Sequence, residues 1–160
     1  MSRNVLIFLG LALALGVPNY AIIQKERQLA SGTPVLVELA PVDPRSLIQG
    51  DYMRLDYAIS RQLREPVPEP RDGRVVVSLD ADSVAHFARV YQEGTPLAPG
   101  ERLLQYRRRN GGIRIGSDAF YFQEGQAHRY VGARYGELRV DHSGGSVLVG
   151  LRDADRRPLR

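Results

Sequence analysis

Arg74–Tyr91 reads RVVVSLDADSVAHFARVY. Three consecutive valines in Arg74–Leu79 suit an extended backbone, and Val84–Tyr91 alternates apolar with polar residues. Between them Asp80-Ala81-Asp82-Ser83 supplies side chains that bond their own backbone in a turn. The stretch predicts an antiparallel hairpin. The same pattern recurs on both sides of it. Glu101–Arg109 and Ile113–Ile115 flank Asn110-Gly111-Gly112, a strong hairpin signal. Glu137–Val140 and Ser146–Leu151 flank Asp141–Gly145, and Phe120–Phe122 is a short aromatic strand. Upstream, Val35–Ala40 places Val35, Val37 and Leu39 on one face and ends at Pro41–Pro44. Met53, Leu55, Tyr57 and Ile59 mark the inner face of a second strand, and the proline-rich Arg61–Asp72 is a loop. Gly125–Arg134 is the one short helix expected outside the N-terminus. About eight strands with regularly spaced turns give a mainly β fold, a small antiparallel β-barrel or sandwich-like domain.

A different pattern precedes this domain. Val5–Ile23 (VLIFLGLALALGVPNYAII) holds no Asp, Glu, Lys or Arg. As a helix it is about 28 Å long, near the thickness of a bilayer's hydrocarbon core. Arg3 precedes it, Lys25 and Arg27 follow it, and Tyr20 falls at interface depth. A cleaved signal peptide is the alternative, since Ala14-Leu15-Gly16 offers small residues and Pro18 could stop a short apolar helix. A buried helix of a soluble protein is the third reading. The continuation through Ala21, Ile22 and Ile23 favours the uncleaved anchor. Gln24–Ala30 extends the helix into water, and Ser31-Gly32-Thr33-Pro34 ends it. The chain thus divides into an anchor with its juxtamembrane helix (residues 1–30), a β-rich extracytoplasmic domain (31–152) and a charged, fraying tail (153–160). The expected location is the inner membrane, single-pass, with the domain in the periplasm.

Composition narrows the chemistry. The 160 residues include no cysteine, which excludes disulfides and thiolate sites. The net charge of +4 is spread among alternating acids and bases, the pattern of a solvated surface and not of a nucleic-acid site. Arg107-Arg108-Arg109 is the strongest basic run and lies near an expected hairpin tip. No phosphate loop, dinucleotide fingerprint or nucleophile elbow occurs. Glu124 and His128 stand four apart on the expected helix, a spacing that can hold zinc but more often marks an exposed turn. No metal or other cofactor is expected.

One further segment stands out. Asp43–Tyr57 reads DPRSLIQGDYMRLDY, a turn, a loop glycine and an alternating strand. Alternation puts Asp51, Met53, Leu55 and Tyr57 on one face and Tyr52, Arg54 and Asp56 on the other. A carboxylate on the apolar face needs partners, so Asp51 is expected to cap a turn, and Tyr57 to be a core aromatic with its hydroxyl bonded. The competing reading is a binding surface around Asp43, Asp51 and Tyr52. The hypothetical binding set is Asp43, Gly50, Asp51, Tyr52, Asp56, Tyr57 and Glu124. No catalytic residue is assigned.

Gly50-Asp51-Tyr52-Met53-Arg54-Leu55-Asp56-Tyr57 resembles, letter for letter, the motif that names the GDYXXLXY family. The downstream Phe120–Gly125 is similar to a second, weaker FxxxEG-like element of that family. The resemblance implies an N-terminal apolar helix and brings no assigned catalytic residue. Because relatives are encoded beside a multi-span membrane protein, it also implies a subunit of a membrane assembly. Leu47–Asp51 is similar to a leader-peptidase pattern as well, but Pro41 stands where the nucleophilic serine belongs and the single lysine is Lys25. Two functions remain. One is a non-enzymatic interaction module contacting the lipid bilayer and a multi-span membrane protein. The other is an envelope hydrolase using Asp51 or Glu124 as acid or base.

Overall fold

The computed structural model describes residues 3–40, 48–49, 52–63, 72–109 and 112–159. The chain is mainly β, with 41% strand and 27% helix. Helix α1 (Arg3–Ser31) leads into β1 (Thr33–Glu38), then β2 (Ile48–Gln49), β3 (Tyr52–Arg54) and a one-turn helix α2 (Ala58–Gln62). The remainder is strands β4 (Asp72–Leu79), β5 (Ala85–Val90), β6 (Glu101–Arg109), β7 (Gly112–Ile115), β8 (Ala119–Tyr121), β9 (Tyr135–Val140) and β10 (Ser146–Arg152).

These strands form three antiparallel sheets, ordered β1-β9-β10, β2-β3-β8 and β5-β4-β6-β7. The three expected hairpins form as β4–β5, β6–β7 and β9–β10. Val75, Val76 and Val77 are all buried on β4, an inner strand hydrogen-bonded to β5 on one side and β6 on the other. A bulge between Val76 and Val77 relieves the strict alternation. The sheets are stitched together by single backbone links. Leu36 forms a parallel bridge with Val84, Leu39 an antiparallel bridge with Tyr57, and the Gln105 N–H donates to the Gly144 carbonyl at 2.8 Å. One core results, with Val35, Val37, Leu104, Tyr106, Ile115 and Leu138 among its members.

Three local expectations are corrected. Ile59 does not extend the second strand: β3 stops at Arg54, and Ile59 is buried inside α2. Gly125–Arg134 is not a helix but a single 3₁₀ turn over Ala127–Arg129, bounded by tight turns on either side. Glycines at 125 and 132 leave too short a run for helix nucleation. The tail does not fray. Arg152 bridges Pro158, the Leu159 N–H donates to the Leu151 carbonyl at 2.9 Å, and the Leu159 side chain packs on the core.

Among the described residues, one helix is long and apolar enough to cross a membrane, and none of its apolar stretch is buried within the protein. This overturns the buried-helix alternative. Pro18 lacks an N–H, yet α1 continues through it to Ser31. The helix stops at Gly32, whose N–H caps the Gln28 carbonyl at 2.9 Å. A Cβ at Gly32 would meet that same carbonyl oxygen at 2.5 Å, so only glycine fits this exit.

Candidate functional site

The described part of the named motif begins on β3. Tyr52 faces Tyr121, Met53 faces Phe120 and Arg54 faces Ala119 across the antiparallel pair with β8. Directly opposed residues share a face. Met53 and Phe120 therefore point inward, where Phe120 meets Tyr130 edge-on at 5.0 Å and Tyr130 stacks on Phe122 at 5.2 Å. Tyr52, Arg54 and Tyr121 form the outward face. The Tyr52 and Tyr121 rings lie 5.6 Å apart, and Tyr121 is 74% exposed. Behind this outward aromatic pair, Phe120 on β8 joins Phe122 and Tyr130 of the following segment in an inward aromatic cluster.

Beyond β3 the motif turns structural. The Leu55 N–H donates to the Asp118 carbonyl at 2.8 Å, and the Ala40 N–H donates to the Asp56 carbonyl at 2.7 Å. The Asp56 carboxylate pairs with Arg61 Nε at 3.1 Å across the start of α2. Tyr57 is buried beneath β9, its hydroxyl donating to the Ser117 carbonyl at 3.3 Å. Burial alone pushes its phenol well above the ordinary value of 10.0.

The expected site residues do not converge in one place. Asp43, Gly50 and Asp51 lie outside the described residues. Tyr52 is on the outward face of β3, Asp56 is engaged with Arg61, and Tyr57 belongs to the core. Glu124 is exposed in the turn after β8. His128 Nδ1 is 3.1 Å from the Gly125 carbonyl, a local contact within that turn. Among the described residues no group of three or more His, Asp or Glu is placed to hold a metal. Tyr121, the partner of Tyr52, is not among the site residues expected from the sequence. Its only signal was the alternation in Phe120-Tyr121-Phe122, which puts the middle ring opposite its neighbours.

The motif strand, its β8 partner and the second half of the apolar helix fall within residues 14–151, which match a family model described as GDYXXLXY protein. The chain belongs to the GDYXXLXY family. The match runs from the middle of α1 to the end of β10, so the GDYXXLXY assignment rests on most of the chain and not on the motif alone. No curated protein and no solved structure matches the chain.

Proposed function

We propose that this GDYXXLXY protein is a single-span protein of the inner membrane whose β domain, on the periplasmic side, is a non-enzymatic interaction module of a membrane assembly. The carrying observation is the bare surface of α1. Phe8 is 70% exposed, and Leu6, Ile7, Leu13, Val17 and Ile22 are each more than half exposed. Removing one such side chain from water is worth ~1.5–3 kcal/mol, so a helix covered with them requires an apolar surrounding. A bilayer supplies it along the whole length of Val5–Ile23.

The tether confines the domain to the membrane surface, where a multi-span protein in the same bilayer is the fitting partner. Its docking face is the outward side of β3 and β8, with Tyr52 and Tyr121 as aromatic anchors beside the exposed Arg54. A hydrolase has less support. Of its two acid-base candidates, Glu124 is exposed and has no hydrogen-bonded partner among the described residues to orient it, and Asp51 lies outside the described residues.

The test has two readouts on the full-length chain in its native membrane. Alkaline carbonate extraction should leave the full chain in the pellet and release a variant lacking residues 1–30. Crosslinking followed by mass spectrometry should then recover one dominant multi-span protein, and Tyr52→Ala with Tyr121→Ala should abolish its recovery. Carbonate-soluble full-length protein would overturn the anchor. An integral protein with no partner, or with one indifferent to both tyrosines, would overturn the interaction module.

A further inference from the structure

A cavity of about 630 Å³ lies where α1 meets the β domain. Its walls include Lys25 of α1, Arg107 and Arg109 of β6, Arg114 of β7, and Asp118 and Ser146. Strand geometry explains the convergence. Arg107 and Arg109 are two apart on β6 and share a face, and β6–β7 register sets Arg107 opposite Arg114. On the other face of β6, Leu104 and Tyr106 are buried and fix the strand.

The lining holds four cations and one carboxylate. Asp118 accounts for one of them by pairing with Arg114. Arg107 and Arg109 form no ion pair with any described residue, although Asp72 stands opposite Arg107 in the β4–β6 register. Like charges opposed across a ladder are unfavourable on their own, and their summed field attracts an anion.

Depth decides which anion. Lys25 is two residues beyond Ile23, the end of the uncharged stretch, a rise of about 3 Å along a helix. When that stretch spans the bilayer core, Lys25 and the cavity mouth stand at the level of the lipid phosphates. Guanidinium groups offer paired N–H donors matched to phosphate oxygens.

We propose that this cavity binds the phosphate of an anionic lipid headgroup, seating the domain on the membrane surface. The inference rests on the membrane anchor proposed above. Its test uses full-length protein in neutral detergent, with lipid adducts measured by native mass spectrometry against phosphatidylglycerol and phosphatidylcholine. Phosphatidylglycerol should bind preferentially, and Arg107→Gln with Arg109→Gln should weaken it roughly thirtyfold, following the usual contribution of two basic residues at an anionic surface. If the double variant proves misfolded by circular dichroism, Lys25→Gln on the exposed helix replaces it, with an expected loss of about fivefold. Equal binding of both lipids, or phosphatidylglycerol binding unchanged in the variant, overturns the proposal. Inorganic phosphate that displaces phosphatidylglycerol with similar affinity also overturns it, in favour of a soluble phosphate-bearing ligand. Carbonate extraction separates the two failures: an integral protein without lipid preference loses this site and keeps its anchor.

Discussion

The ring of Tyr57 rests directly on the backbone of Gly136. A Cβ added at Gly136 would stand 3.0 Å from Tyr57 Cε1 and 3.4 Å from Leu148 Cδ1. Both neighbours are held: Tyr57 is 2% exposed and hydrogen-bonded, and Leu148 packs on the core. The last tyrosine of the motif thus joins β9 to the loop that carries β8, and glycine is what lets it lie flat there.

Gly136→Ala should therefore overpack this contact and destabilise the domain by about 1–3 kcal/mol, measured by urea unfolding of the full chain in detergent. Truncating the ring with Tyr57→Ala should cost about 3–5 kcal/mol. In that background the added methyl has room, so the Gly136→Ala penalty should shrink by about 1 kcal/mol or more. Strict additivity of the two changes would refute the contact. Tyr52→Ala, by contrast, removes an outward ring and should cost no more than about 0.5–1.5 kcal/mol.

A second junction ties the membrane helix to the domain. Asp141 Oδ1 accepts from the Ser143 N–H at 2.8 Å, the Ser143 hydroxyl at 2.6 Å and the Gly145 N–H at 3.0 Å, which closes the β9–β10 turn. Its Oδ2 accepts from Gln28 Nε2 of α1 at 3.1 Å. Asp141→Ala should cost about 1–3 kcal/mol by leaving those donors unpaired. It should also speed hydrogen exchange in the last turn of α1. Gln28→Ala should reproduce the faster exchange with little loss of domain stability. Faster exchange in neither variant would show that the helix is held by other contacts.

The C-terminal segment closes the fold. Asp153 organises it by accepting from the Arg157 N–H at 2.8 Å, and Arg156 reaches Asp82 in the β4–β5 turn at 3.3 Å. Leu159→Ala should cost about 1–2 kcal/mol, less than a fully buried leucine because this one is only partly covered. Deleting residues 153–160 should cost more than that single change. Equal melting of the deletion variant and the intact chain would mean that the segment merely lies on the surface.

These elements differ in how far the sequence announced them. The hairpins were legible because valine-rich or alternating arms flank residues with turn chemistry, as at Asp80–Ser83 and Asp141–Gly145, and both signals act within a few residues. Ile59 reads as strand in the sequence because the five residues of α2 carry no helical period, and its burial comes from packing in the shared core. Charge in Asp153–Arg157 suggested fraying, while local hydrogen bonds and Leu159 decided otherwise. The cationic cavity has a plainer reason for being invisible: Lys25 and Arg114 line one space only through the tertiary placement of α1 beside the β domain. Asp43 and Asp51, candidates of the competing binding reading, lie outside the described residues, and the outward Tyr52–Tyr121 pair depends on a β3–β8 register no local pattern gives.

Stability should fall at both ends of the pH scale, for opposite reasons. At Asp80 the Val84 N–H chiefly holds the carboxyl below its ordinary 3.8, and at Glu101 the Arg89 guanidinium holds it below 4.5. At Asp141 burial opposes ionisation, but the Ser143 and Gly145 hydrogen bonds together outweigh it and the carboxyl again lies below 3.8. In each case the unfolded chain takes up protons first as the pH drops. The stability these groups contribute is complete above the unfolded values and drains away as the pH falls through the folded ones. Burial does the reverse to Tyr57 and Tyr106, holding their phenols above the ordinary 10.0. Their contribution is complete below pH 10 and is lost as the pH climbs through the folded values, because the unfolded chain releases those protons first. Urea midpoints measured from pH 3 to pH 11 should trace a plateau with two falling limbs. Asp141→Asn should flatten the acid limb and Tyr57→Phe the alkaline one. A limb unchanged by its own variant would show that other groups titrate there.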